Sequence, residues 1–224
     1  GGVVDMLSAK TSRNIFSDIG SNPTIIPIDL DIATTKYGGQ EALASALGVS
    51  GEDVDDYFNW ALGIDVDDDD NDASIVDIRP DVFGDPLHFK PLVINYGGSV
   101  STPDIRILVG TNSGVLHMFK DSGNTVDESW AFMPNRFFSQ IKTLKDNLPS
   151  SSKLYGIDGK ATVHIEDANG DGTVDPSEDK VWVFFGLRRG GSAYYALDVT
   201  NKDTPKLLWE IEAGTGDFEE LGQS

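Results

Sequence analysis

Between residues 91 and 211, short apolar and polar runs alternate, broken by clusters of Gly, Asn, Asp and Ser. A period of two predicts strands with one buried face. Residues 91–95, 105–109, 115–119, 129–133, 161–165, 180–185, 193–199 and 206–211 read this way; Val163 and Ile165, for instance, alternate with Thr162 and His164. Helical spacing is confined to smaller pieces. Residues 41–47 are rich in Ala and Leu and stop near Gly48. Ser50 can cap a second helix, in which Val54, Tyr57, Phe58 and Ala61 recur at helical spacing before Gly63. Residues 135–145 predict a third helix. Residues 1–40 scatter Gly, Pro, Ser and Thr among short apolar pieces and predict irregular chain with one strand at most.

Two stretches repeat one another. Ile107, Leu108 and Val109 run through Gly110 and a polar turn into Val115, Leu116, His117, Met118 and Phe119, with Trp130 further on. Val183, Phe184 and Phe185 run through Gly186 and a second turn into Ala193, Tyr194, Tyr195, Ala196 and Leu197, with Trp209 further on. A strand–turn–strand unit repeated in this way is the signature of propeller blades. The two copies lie further apart than the ~40–45 residues of a simple blade. The helix at 135–145 and an acidic loop at 167–178 supply the insertions. The predicted fold class is therefore all-β with small helical insertions, a partial β-propeller. Two unrelated hairpins in a sandwich are the alternative. Residues 1–63 read as an N-terminal segment with short helices. Residues 64–224 read as the first blades, continued beyond a chain that is a piece of a longer protein.

The acidic loop carries the clearest chemistry. Asp167, Asn169 and Asp171 stand at positions 1, 3 and 5, Gly172 at 6, Thr173 at 7, Asp175 at 9 and Glu178 at 12. That is the spacing of an EF-hand calcium loop, in which oxygen-bearing side chains on a tight turn surround a hard cation. Thr173 would offer its carbonyl and Glu178 a bidentate carboxylate. Asp175, Pro176, Ser177 and Glu178 read as a capped helical turn that returns Glu178 to the ion. The flanks read as strands, so Ca²⁺ here would stabilise a hairpin tip rather than change the angle between two helices. A second acidic run, residues 65–72, repeats the alternation with Asp65, Asp67 and Asp69. Asp70 replaces the glycine at position 6 and Val76 the glutamate at position 12, so this run is either a second calcium site or a solvated acidic linker.

Composition narrows the rest. Seventeen Lys and Arg face 37 Asp and Glu, a net charge of −20, which argues against nucleic acid and anionic membrane surfaces as partners. There is no cysteine, which excludes disulfides, thiolate metal sites and cysteine nucleophiles. No apolar run approaches the ~20 residues of a membrane span. His88, His117 and His164 form no ligand motif, and nucleophile-elbow, phosphate-loop and zinc signatures are missing, so the chain reads as a non-enzyme. Arg188 and Arg189, before Gly190 and Gly191, read as a hairpin turn; in so acidic a chain the pair could also dock a partner's carboxylate.

Several motifs in one order carry a family resemblance. Asp85-Pro86-Leu87-His88, Tyr96-Gly97-Gly98, the run from Gly110 to Phe119, Trp130-Ala131-Phe132-Met133-Pro134 and Tyr195-Ala196-Leu197-Asp198-Val199-Thr200 resemble the C-terminal β-propeller domain of the PilY1 family. The resemblance runs from about Asn59 to the end. It implies a secreted type IV pilus biogenesis and adhesion protein that passes through the periplasm to the cell surface. Its implied partners are pilus components such as minor pilins, and host or abiotic surfaces, with calcium bound by the propeller. Tyr195-Ala196-Leu197-Asp198 with Leu208-Trp209-Glu210 also resembles the repeats of quinoprotein enzymes that carry pyrroloquinoline quinone, which is the alternative function.

Overall fold

The computed structural model describes residues 2–19 and 24–214; residues 1, 20–23 and 215–224, the last including the end of the chain at Ser224, lie outside the described residues. A short helix α1 (Val3–Ser8) opens the chain. Two short strands, β1 (Ile15–Ser17) and β2 (Ile26–Pro27), and three helices, α2 (Leu30–Tyr37), α3 (Gln40–Leu47) and α4 (Val54–Leu62), follow. This corrects the expectation of irregular chain over residues 1–40. The Asp29 side chain accepts the Ile32 N–H at 2.7 Å and caps α2, while Leu7 of α1 and Ala33 of α2 are fully buried. Such short elements owe their order to tertiary partners that local propensity does not register.

The alternating stretches form two four-stranded meanders. The first comprises β3 (Leu92–Ser99), β4 (Thr102–Gly110), β5 (Leu116–Asp121) and β6 (Val126–Phe132). Helix α5 (Phe138–Asp146) then leads, through a long loop, to the second meander: β7 (Ala161–Glu166), β8 (Lys180–Gly186), β9 (Ala193–Asp198) and β10 (Lys206–Glu212). Neighbouring strands in each meander are antiparallel. β1 adds to the outer edge of the first sheet in parallel with β6, Ile15 beside Ala131 and Phe16 beside Phe132, and β2 pairs with β1. The two repeated stretches are thus the second and third strands of successive sheets, with Trp130 and Trp209 on the fourth. The protein is mostly β, with two sheets and small helices. No helix among the described residues is long and apolar enough to cross a membrane.

The two sheets pack face to face. Leu108, Met118, Trp130 and Phe132 of the first meet Val181, Val183, Phe185, Tyr195 and Leu197 of the second in one core. Phe132 meets Tyr195 edge-on with ring centroids 5.8 Å apart. Two bonds satisfy polar groups at this junction: the Tyr96 hydroxyl donates to the Val199 carbonyl at 2.6 Å, and the Trp130 indole N–H to the Lys202 carbonyl at 3.0 Å. On the reverse face of the first sheet, Ile15, Val115, Ala131 and Met133 join Leu43, Leu47, Val54, Phe58, Phe138 and Ile141 of the helices in a second core.

One irregularity aims a charge inward. Opposite Met118 stands Trp130, but opposite Phe119 stands Glu128, so Ser129 is an extra residue in β6. Such a bulge reverses the alternation. Glu128 therefore shares the face of His117 and Phe119 rather than that of Trp130. There its carboxylate accepts Arg13 Nε at 2.8 Å and Nη2 at 2.9 Å, and meets His117 Nδ1 at 2.7 Å. Arg13 also donates to the Leu62 carbonyl at 3.1 Å, tying the chain before β1 to the end of α4.

Candidate metal centre

The acidic loop joins β7 to β8, and its conformation follows from its own short side chains. Asp167 accepts Gly170 N–H at 2.7 Å on one oxygen and Gly172 N–H at 2.8 Å on the other. Asn169 Oδ1 accepts Asp171 N–H at 2.9 Å, and Asp171 Oδ1 accepts Thr173 N–H at 2.8 Å. These local bonds replace a strand ladder and wind the backbone around a point. Gly172 sits at φ +76°, in the left-handed region that the tight turn demands. Asp175 accepts both the N–H and the hydroxyl of Ser177, bonds that hold its carboxyl below the usual carboxylate range. Its own carbonyl accepts Glu178 N–H at 3.1 Å and Asp179 N–H at 2.8 Å, which forms the expected capped turn.

The expected donors are all oxygens, and each Asp or Asn oxygen engaged by one N–H keeps a further lone pair. That donor chemistry fits a hard divalent cation. The carboxylates do not converge to within 4.8 Å as a trio; among the described residues that closeness is reached by Asp68, Asp70 and Asp72 of the other acidic run. That run holds its expected donors apart. Asp65 is buried, and both its oxygens accept Asp69 N–H, at 2.9 and 3.1 Å. Asp67 instead pairs with Lys145 of α5 at 2.5 Å.

Two features of the loop lie outside the motif. Asp179, the residue after position 12, is buried and accepts Ala168 N–H at 2.8 Å and Asp175 N–H at 2.7 Å, bracing both ends of the loop. A carboxylate following the twelfth position was the available signal. The second feature is docking. The Val174 N–H donates to the Tyr96 carbonyl of β3 at 3.0 Å, and the Val174 side chain packs against the core shared by the sheets. Thr173 lies so close to the bulge in β3 that a Cβ at Gly97 would fall 2.8 Å from its Cα. Gly97 also holds φ +106°, so the position excludes a side chain twice over. The loop of the second sheet thus rests on the first strand of the first sheet.

The histidines have separate settings. His117 is wholly buried with Glu128. His88 Nδ1 meets the buried Asp158 carboxylate at 2.6 Å, and His164 lies beside Trp182 with ring centroids 5.8 Å apart.

No family model matches the chain. Curated relatives do, and they carry the name of a type IV pilus biogenesis factor. The chain is 30% identical over 234 residues to the type IV pilus biogenesis factor PilY1 of Pseudomonas aeruginosa strain PAK, covering 97% of this chain and 17% of that protein. A PilY1 homolog of Xylella fastidiosa strain Temecula1 is 34% identical over 120 residues, covering 52% of this chain and 7% of that protein. The crystal structure of the P. aeruginosa PilY1 C-terminal domain is 32% identical in sequence over 48% of this chain and 19% of that one, with a TM-score of 0.31, too low to bear on the fold. The chain belongs to the PilY1 family. It spans 17% of the length of the P. aeruginosa relative.

Proposed function

We propose that this chain is a non-catalytic, calcium-stabilised part of a type IV pilus biogenesis and adhesion protein, in which residues 167–178 tie two neighbouring propeller blades together. One observation carries the reading: the Val174 N–H to Tyr96 carbonyl bond, which runs from the candidate calcium loop of one sheet to the first strand of the other. Asp167, Asn169, Asp171 and Glu178 would bind through side chains, Thr173 through its carbonyl and Asp175 through water. The ion supplies positive charge that relieves repulsion among these carboxylates. The protein's own part is to hold the loop against β3, with Asp179 bracing its two ends and Val174 anchoring its middle.

The blade assignment is supported by the order of the strands. Each sheet is a simple four-stranded meander, the first strands β3 and β7 lie near one another, and the later strands follow outward in chain order. The outward face of the second sheet carries Trp182, Phe184 and Trp209, with Phe184 and Trp209 ring centroids 5.9 Å apart, as a blade facing a further blade would. The pilus assignment rests on the named relatives. By that analogy the whole protein reaches the cell surface through the periplasm and meets minor pilins and surfaces.

Calcium binding is tested by thermal unfolding in millimolar Ca²⁺ and in EGTA. Binding to the folded state alone stabilises by about 2.7 kcal/mol at a hundredfold excess over Kd. Asp167→Asn and Glu178→Gln should each remove most of that difference, and Mg²⁺ should substitute poorly because it demands a smaller octahedral shell. Identical melting in Ca²⁺ and EGTA defeats the calcium reading. The pilus reading is tested separately, by placing the same substitutions in the full-length protein and scoring surface pili; unchanged piliation with proven loss of calcium would separate the two.

A further inference from the structure

We propose that a cavity beside the β8–β9 turn binds the carboxylate of a single acidic sugar, of the hexuronic acid type. The cavity, about 560 Å³, is lined by His88, Asp158, Lys160, Gly186, Arg188 and Tyr194, which come from three separate stretches of chain. That volume lies within the ~300–1,000 Å³ of small-ligand sites. It is a different place from the calcium loop, and its chemistry is the reverse. In a chain of net charge −20, this wall carries Lys160 and Arg188 with His88, and its one acid is already engaged. Asp158 is buried; one oxygen meets His88 Nδ1 at 2.6 Å, and the other accepts Arg188 Nη1 at 3.4 Å. Asp158 therefore positions His88 and Arg188, and its own charge is met by the Arg188 guanidinium rather than left to repel an anion. Lys160 is exposed and has no carboxylate partner among the described residues.

The wall is preformed. A Cβ at Gly190 would fall 1.7 Å from the Gly156 carbonyl oxygen, and one at Gly159 would fall 2.0 Å from that of Gly186, so the two loops are in backbone contact. Arg188 holds φ +53°, a region that residues other than glycine seldom adopt, and one that non-glycine residues often occupy at functional positions. A guanidinium bonded through one nitrogen keeps further donors for a second, planar acceptor such as a carboxylate. The Tyr194 ring packs where a side chain at Gly186 would otherwise stand, 2.8 Å from the Cβ position, and gives the cavity a flat apolar side. Cations beside an aromatic face suit a ring that bears one carboxylate. The chain's overall negative charge disfavours a polyanion but penalises a monoanion far less.

The test is isothermal titration of the calcium-loaded chain with glucuronate, alongside glucose and inorganic phosphate. One saturable glucuronate site is expected, with glucose at least about tenfold weaker because the carboxylate carries the charge-assisted bonds. Lys160→Gln, at an exposed position, and Arg188→Gln should each weaken glucuronate about tenfold or more while calcium binding is unchanged. No saturable glucuronate binding overturns the proposal, as does binding that survives both substitutions. Glucose binding as tightly as glucuronate removes the role of the carboxylate, and phosphate competing equally well removes that of the sugar ring. None of these results bears on the calcium reading, because the two sites share no residue.

Discussion

Replacing Glu128 with Gln isolates the energetics of the buried charge cluster. Gln keeps the shape and hydrogen-bonding reach but loses the charge. Arg13 and Glu128 side chains are 3% and 0% exposed, and His117 is 0% exposed, so water cannot compensate the guanidinium that remains. Removing one partner of a buried pair costs about 3–5 kcal/mol. At roughly 2–4 °C per kcal/mol for a chain of this size, the melting temperature should fall on the order of 10 °C. Urea and thermal unfolding at pH 7 and fixed calcium would measure it, since a bound ion shifts both transitions. A cycle with Arg13→Met adds a check: the double substitution should lose at least about 1 kcal/mol less than the sum of the single ones. Burial works against the charge of Glu128, but the bonds from Arg13 and His117 outweigh it and hold its carboxyl well below the usual range. Burial pushes His117 below its ordinary value, against the pull of Glu128. Both groups bind protons more tightly when unfolded. The His117 contribution is complete above the ordinary value of about 6.5 and is lost as pH falls below it; that of Glu128 is complete above about 4.3 and is lost at lower pH. A loss below about 1 kcal/mol for Glu128→Gln, or strict additivity with Arg13→Met, would refute the reasoning.

Asp18 runs the other way: burial, opposed by the Asn135 N–H bond, pushes its carboxyl up to about 6. Its folded form holds the proton more tightly, so stability falls as pH rises from about 4 through 6, by roughly 3 kcal/mol at pH 7. Asp18→Asn, which can still accept from Asn135, should stabilise the protein at pH 7 by about 1–3 kcal/mol and flatten the difference between pH 4 and 7; an unchanged pH dependence in urea unfolding would rule this out. Gly97→Ala should destabilise by about 1–3 kcal/mol through strain at positive φ and collision with Thr173, and should weaken calcium binding by the same coupling; wild-type melting in both Ca²⁺ and EGTA would disprove the docking argument. Asp179→Ala leaves two loop N–H groups unpaired and should cost about 1–3 kcal/mol, with a lower calcium affinity by titration; an unaltered affinity would confine Asp179 to a structural part.

The strands were legible because apolar residues recur along each of them, on faces that are buried in the inner strands and half-buried in β7 and β10. Alternation located all eight meander strands, and the Gly110 and Gly186 turns exposed the repeat. α1, α2 and β1 were not, because their stability comes from partners far along the chain: Leu7 and Phe16 join the core between the sheets, and Ile15 pairs with Ala131. The loop spacing named its candidate donors, yet Tyr96, which receives Val174, lies in another sheet, and no local pattern joins them. Glu128 was hidden for a different reason: the strand read from the sequence starts only at residue 129, and the extra residue Ser129 moves Glu128 from the face of Trp130 to that of His117 and Phe119. In the second acidic run the spacing pointed to Asp65, Asp67 and Asp69, while the fold gathers Asp68, Asp70 and Asp72, because burial of Asp65 and the reach of Lys145 to Asp67 outweigh spacing.

The parallel pairing of β1 with β6 also sets an order of events during folding. More than a hundred residues separate Ile15 from Ala131, so β1 must wait, with only the short β2 beside it, while the first meander assembles. Arg13 remains hydrated during that wait. When β1 docks, only the register that seats Arg13 on Glu128 buries the guanidinium with its counter-charge. A slip by one residue would strand both charges in the core and turn Ile15 and Phe16 to the wrong faces. The buried pair thus acts as an error check on the latest-closing strand of the sheet, rejecting misregistered chains before the edge is sealed.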